Sequence, residues 1–284
     1  MGQIEQTELI HQIAIDRIIN DSISEKIQVL RMIEDVFPNI DDHINIFNLG
    51  HYQIDNIRNF EYSEDSKLKG RDLLTSLLIN TSQQFCFWLN PNQQTTRVLS
   101  SSDFYGITWE NAHEVINKSV TLRKERISIL NNLWKIMEAY SSEYLHVFME
   151  DRIFNHDFFR KKKNLFLMCL VRMKEHIPFE PDNEFIHSIN PAIDYQIPKI
   201  LRGLEIISYP KNIADKVDAG ELIVKDSYEE LFIRSVSYKA LIKIQEEFKL
   251  DQVKLDGYFW YNRKQFLKLI GEDTKHHCTI TEDY

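Results

Sequence analysis

Residues 227–249 read SYEELFIRSVSYKALIKIQEEFK, and this stretch decides the fold class. Ile233, Val236, Ala240, Leu241, Ile244 and Phe248 recur three or four residues apart, which puts them on one face of an α-helix. Ser227 followed three residues later by Glu230 is a capping-box pattern and sets the start of that helix. Arg234 falls mid-helix among apolar neighbours, where a guanidinium calls for a buried acidic partner, a glutamate being the nearest choice.

Working outward, a short helix is expected over 198–203, because Pro198 fits a first turn that lacks an N–H partner anyway. Ser208-Tyr209-Pro210 separates it from a helix over 211–219. The order is helix, tight turn, helix, then a longer helix leading to an acidic residue, Asp256. Helix-hairpin-helix glycosylases have this layout. Their glycine-rich hairpin is missing, since Leu204-Glu205-Ile206 stands in its place, which disfavours close backbone approach to a DNA phosphate.

Further upstream, 159–175 and 122–150 read as helices. The second carries Ile127, Leu130, Leu133 and Met137 on one stripe. Residues 71–80 form a buried segment that runs into Gln84-Phe85-Cys86-Phe87-Trp88, a strand-like stretch, so minor β content is expected near 84–100. Residues 5–36 are helical with a break at Asp21-Ser22, and Pro38 ends the run. The expected fold is mainly α, a single globular unit over 1–284. It would have a helical and irregular part over 1–120 and a glycosylase-like part over 121–284.

Composition agrees. With 284 residues and 43% hydrophobic content the chain supports a sizeable core. Only 8 glycines and 7 prolines interrupt it, which favours helices. A net charge of −9 argues against a protein that grips many duplex phosphates, and favours a small nucleotide as partner over stable nucleic-acid binding. Cys86, Cys169 and Cys278 stand singly, as free thiols of a cytoplasmic protein do. His276-His277-Cys278 lacks a second ligand pair at zinc spacing, so no metal is expected. No apolar run is long enough for a bilayer, and no membrane association is expected.

Residues 193–260 carry a resemblance. Ile193-Asp194-Tyr195-Gln196-Ile197-Pro198-Lys199-Ile200-Leu201 resembles the Asp-Tyr-Arg-x-Pro-Gln-x-Leu segment of the queuosine 5′-phosphate N-glycosylase, or queuosine salvage protein, family. Leu204 to Tyr209 is similar to its Leu-Gly-x-Leu-x-Tyr. Glu230 to Arg234 is similar to its Glu-x-Glu-Ile-Arg, and Leu255 to Trp260 to its Leu-Asp-Tyr-Tyr-Leu-Trp. The tail from His277 to Tyr284 resembles a His…Tyr ending. Upstream, Gln84 to Trp88 and Phe158 to Lys161 resemble Asn-Phe-x-Phe-Trp and Phe-Tyr-Lys-Arg. Gln196, Gln84 and Phe232 replace the family's Arg, Asn and second Glu, and Ala192 stands where an aromatic is expected.

The resemblance implies a hydrolase that cleaves the N-glycosidic bond of queuosine 5′-phosphate, or of a related 7-deazaguanine nucleotide or nucleoside, and releases queuine for tRNA modification. Water would be the second substrate, and no cofactor is implied. Two alternatives are a nucleic-acid glycosylase and a non-catalytic nucleobase-binding relative.

Cleavage builds oxocarbenium character on the ribose, which a nearby anion stabilises. A 7-deazapurine has no N7 to protonate, so the carboxylate and contacts to the base edge must do the work. Asp256 is the candidate for the anion, its alternative being a turn or N-cap residue beside Gly257. Asp194 is the second candidate, able to accept from the N–H groups of a guanine-like edge, its alternative being a helix cap. Phe85, Trp88, Tyr195, Tyr258 and Trp260 are candidates for stacking on or walling the base. Arg160, Lys161, Lys199 and His277 are candidates for phosphate or ribose contact. A solvated charge run and a surface histidine are the ordinary readings of Arg160–Lys163 and His277.

Overall fold

The computed structural model describes residues 22–61, 68, 70–84, 106–118, 122–139, 157–176, 181–271 and 274–281. Its chain forms two compact units: residues 1–23, 64–189 and 282–284 make the first, and 24–63 with 190–281 the second. The mainly helical class is as expected. Among the described residues the only β pairing is two isolated bridges, and the strand-like stretch at 84–100 lies almost wholly outside them.

The first unit contains α3 (Gly70–Gln83), α4 (Trp109–Asn117), α5 (Arg123–Ala139), α6 (Asp157–Arg172) and α7 (Asn183–Ser188). α3 packs on α5 and α6. From Leu73 to Gln83 every side chain is buried, as befits a helix enclosed on all sides. Its polar residues therefore bond inward. Thr81 Oγ1 donates to the Leu77 carbonyl at 2.8 Å, and the buried Arg126 of α5 donates to the Gln83 carbonyl at 2.6 Å. α5 confirms the helix expected from residue 122 as far as 139, and Leu130 and Leu133 lie in its buried face. The rest of that expected helix falls outside the described residues.

The second unit holds most of α1 (22–36), α2 (His51–Arg58), α8 (Gln196–Gly203), α9 (Lys211–Ala219), α10 (Tyr228–Phe248), α11 (Gln252–Tyr261) and α12 (Arg263–Ile270). α10 is its centre. Ser227 Oγ accepts from Glu230 N–H, while the Glu230 carboxylate accepts from Asp226 N–H at 3.2 Å, so the expected box forms with its return bond one residue earlier. The buried residues of α10 extend beyond the single expected face, to Phe232, Lys239 and Ile242. Phe232 meets Phe37 and His43 edge-on. Lys239 reaches Glu34 at 3.2 Å and Asp41 at 3.0 Å. A lysine tolerates such burial because its charge is met twice.

α8 packs against α10, α11 and α12, and α11 also contacts α2. Gly203 closes α8 against α12: a Cβ there would lie 2.6 Å from Ile270 Cβ, so only glycine permits the approach. The turn that follows puts Glu205 at φ 58°, in the left-handed region. Ile206 N–H donates back to the Leu201 carbonyl at 2.9 Å, closing the helix end. Glu205 is the residue that replaces glycine in the resembled pattern. The chain then runs antiparallel to residues 43–45, with Asn45 N–H on the Ile206 carbonyl and Ser208 N–H on the His43 carbonyl. This backbone route replaces a glycine-rich hairpin between α8 and α9.

Candidate active site

α8 begins at Gln196, two residues earlier than the sequence suggested, and this changes the reading of Asp194. Its Oδ1 accepts from Gln196 N–H at 2.8 Å and from Ile197 N–H at 2.9 Å. Asp194 therefore caps α8, the alternative that the sequence offered for it. Pro198 is buried inside the first turn, where its missing N–H costs nothing. Tyr195 is buried, and its ring centroid lies 5.0 Å from that of His276.

Asp256 is also not where the sequence suggested. It is neither past a helix end nor in a turn, but inside α11, with Gly257 beside it in the same helix. The cap of α11 is Asp251, whose Oδ1 accepts from Lys254 N–H at 2.7 Å. Asp256 is 5% exposed. One turn before it, Gln252 donates to the Leu241 carbonyl and to Gln245 Oε1, both at 3.1 Å. Residues four apart share a helix face, so Asp256 lies on the side of α11 turned toward α10.

Trp260 follows Asp256 by one further turn on that side. It is half-buried, and the Arg263 guanidinium sits 5.6 Å from its ring. Tyr258 is two residues from Asp256 and therefore near the opposite face. Its ring packs edge-on against Phe60 at 5.8 Å and Phe266 at 5.7 Å, among residues that join α11 to α12 and the end of α2. The structure thus gives Tyr258 a packing role, and on α11 it groups Trp260 with Asp256.

The extended segment 274–281 supplies the remaining groups. A parallel bridge to Leu222, with Ile223 N–H on the Cys278 carbonyl at 2.8 Å, anchors it. His277 is 1% exposed, in place of the surface position a residue so near the C-terminus suggested. Burial, then the charges of His276 and Arg234, lower its pKa to about 3, so the imidazole is neutral at physiological pH. Arg234 in turn sits 3.5 Å from the buried Glu230, the acidic partner that the sequence called for.

His276, noted in the sequence only as part of a weak metal-like run, lies against Tyr195. Its Nδ1 is 2.8 Å from the His277 carbonyl, which can only accept, so Nδ1 carries the proton. Burial first, then Lys199 and Lys275, hold its pKa below the ordinary histidine value against that bond. Lys199 is half-buried, and its pKa is lowered by burial and then by Lys275. No spacing rule joins Lys199 to residues 275 and 276, because the contact is made between elements distant in sequence.

Several sequence candidates stand elsewhere. Phe85 and Trp88 lie outside the described residues. Arg160 and Lys161 belong to α6 of the first unit, and their side chains also lie outside what is described. Lys163 of the same run is buried, so at that residue the run is not a solvated face. A groove of about 460 Å³ lined by Ile44, Asn45, Ile46, Phe47, Lys243, Glu246 and Glu247 contains none of the candidates. Among the described residues no helix is long and apolar enough to cross a membrane.

The second unit thus holds a buried carboxylate, Asp256, a capping carboxylate, Asp194, a neutral buried imidazole, His277, and Lys199 near Lys275 and His276. Residues 167–284, under half of the chain, match the family model described as queuosine salvage protein. The match bears out the resemblance read from the sequence over this span and supports a role in queuosine salvage. No curated protein matches the chain.

Proposed function

We propose that the chain hydrolyses the N-glycosidic bond of queuosine 5′-phosphate, or of a closely related 7-deazaguanine nucleotide, and releases queuine. The observation that carries this reading is Asp256, a carboxylate buried inside α11 within the span that matches the salvage family. A carboxylate in such a water-poor place acts strongly on positive charge that develops beside it. Asp256 stabilises the oxocarbenium-like ribose, Trp260 walls the base from the same helix face, and Asp194 meets the polar edge of the base while capping α8. The fit of the helices supports this division, because the helix that Asp194 heads packs on the helix that carries Asp256.

The test is base release from queuosine 5′-monophosphate, followed by chromatography and mass spectrometry. Wild-type protein should return queuine and ribose 5-phosphate. Intact nucleotide after prolonged incubation would refute the reading and leave a binding protein.

A further inference from the structure

We infer that the groove between residues 44–47 and the end of α10 is a docking site for a partner protein that presents an arginine beside an apolar residue. Ile44, Asn45, Ile46 and Phe47 line it from one segment, and Lys243, Glu246 and Glu247 from α10, around about 460 Å³. Cavities of about 300–1,000 Å³ are the size that takes a small ligand or a few side chains. None of the residues assigned to hydrolysis lines it, so this site is separate from that activity.

Phe47 is 71% exposed, in a short 3₁₀ turn over Ile46–Asn48. Phe248 meets its ring edge-on at 6.3 Å between centroids. The segment that carries it is fastened on both sides of the ring. Asn45 N–H donates to the Ile206 carbonyl at 2.8 Å, and Asn48 Nδ2 donates to the Glu205 carbonyl at 2.7 Å. An aromatic ring is thus presented to solvent on a fixed backbone, which lowers the ordering cost of binding.

The charge of the groove selects the occupant. α10 ends with Glu246 and Glu247 and has no basic residue in its last turn. Aligned peptide dipoles already place partial negative charge there, so two carboxylates at that end call for a cation. Lys243 does not supply it, because Asp41 meets its ammonium at 2.8 Å. Lys26 offsets part of the charge of Glu246, whereas Glu247 is held in no ion pair among the described residues. A negative groove repels phosphate, which argues against nucleic acid as the occupant. A guanidinium answers both features, since its fork donates to a carboxylate while its plane stacks on an aromatic ring. An ammonium is a compact, strongly hydrated point charge and lacks that plane. An apolar side chain next to the arginine covers Ile44 and Ile46, both half-buried.

The probe is acetyl-Leu-Arg-Leu-amide, titrated into the ¹⁵N-labelled full chain and followed by amide shifts. Shifts should saturate at Ile44 to Phe47 and at Glu246 and Glu247, and acetyl-Leu-Glu-Leu-amide should leave those amides in place. Glu247→Gln should raise Kd by about twofold to fivefold, the range of an exposed ion pair. Phe47→Ala should raise it by a similar factor, about that of a solvent-exposed cation–π contact. Glu221→Gln, which removes an exposed carboxylate outside the lining, should leave Kd unchanged. Base release by Phe47→Ala should equal that of wild type, so failure of either reading leaves the other standing. No saturating shifts, or equal affinity in all three variants, overturns the site. Equal affinity for acetyl-Leu-Lys-Leu-amide overturns the assignment to arginine. Self-association in sedimentation that is lost in Phe47→Ala, without peptide binding, makes the occupant a second copy of the chain and overturns the partner assignment.

Discussion

α8 and α11 are two short helices of one unit that pack on each other, and each is headed by an aspartate. Asp194 and Asp251 satisfy backbone N–H groups that the first turn of any helix leaves without partners. α11 carries a second aspartate, Asp256, beyond that first turn and almost fully buried. A buried carboxylate inside a helix costs stability, and capping offers no reason to keep it there. The lesson is that Asp194 has a structural task visible in the backbone, whereas Asp256 lies beyond the turn where capping acts. Under the proposed function Asp256 is the group for chemistry and Asp194 the second candidate, the order in which the sequence ranked them.

The strongest way to break the comparison is Asp256→Asn. The change is nearly isosteric, so the melting temperature should stay within a few degrees of wild type. Release of queuine from the monophosphate should drop by about a thousandfold or more, since the developing positive charge loses its counter-ion. Normal turnover would remove the distinction between the two helices.

Gly203→Ala attacks the end of α8 where Asp194 guards the start. The new Cβ would clash with Ile270, and urea denaturation should show a loss of about 1–3 kcal/mol. A neutral result would mean that α12 can retreat freely from α8.

The two caps sharpen the contrast at smaller scale. Asp194→Ala and Asp251→Ala should each cost about 1 kcal/mol in the same assay. Asp194→Asn keeps an acceptor oxygen and should retain most of that stability. If Asp194 also meets the base, Asp194→Asn should bind queuine more weakly by calorimetry. An unchanged dissociation constant would leave Asp194 a cap and nothing more.

The smallest effect is expected at the turn after α8. Glu205 adopts φ 58°, a conformation that disfavours every side chain with a Cβ. Glu205→Gly should relieve that strain, partly offset by the greater freedom of glycine in the unfolded chain, for a net gain of about 0.5 kcal/mol. A loss would show that the Glu205 side chain supplies contacts that outweigh its backbone strain.

Much of this was legible in residue order. The helix over 227–249 appeared with its cap, because apolar spacing and the Ser227–Glu230 pair are local signals. The partner of Arg234 followed from a charge one turn away. Other features escaped. Asp256 looked like a turn residue because Gly257 is a common breaker, yet both are buried within the helix. His277 looked exposed because it is near the end of the chain, yet a bridge to Leu222 draws its segment inward.

The sequence by itself determined the mainly helical class, the helix over 227–249 with its cap, and the family resemblance of the last third, because each depends on residues within a few positions of one another. Only the tertiary structure decided that Tyr258 packs away from Asp256, that His277 is buried and neutral, and that Lys199 meets the 275–276 pair. Those outcomes depend on which faces of distant helices are pressed together, and burial and long-range charge act through space with no fixed spacing along the chain.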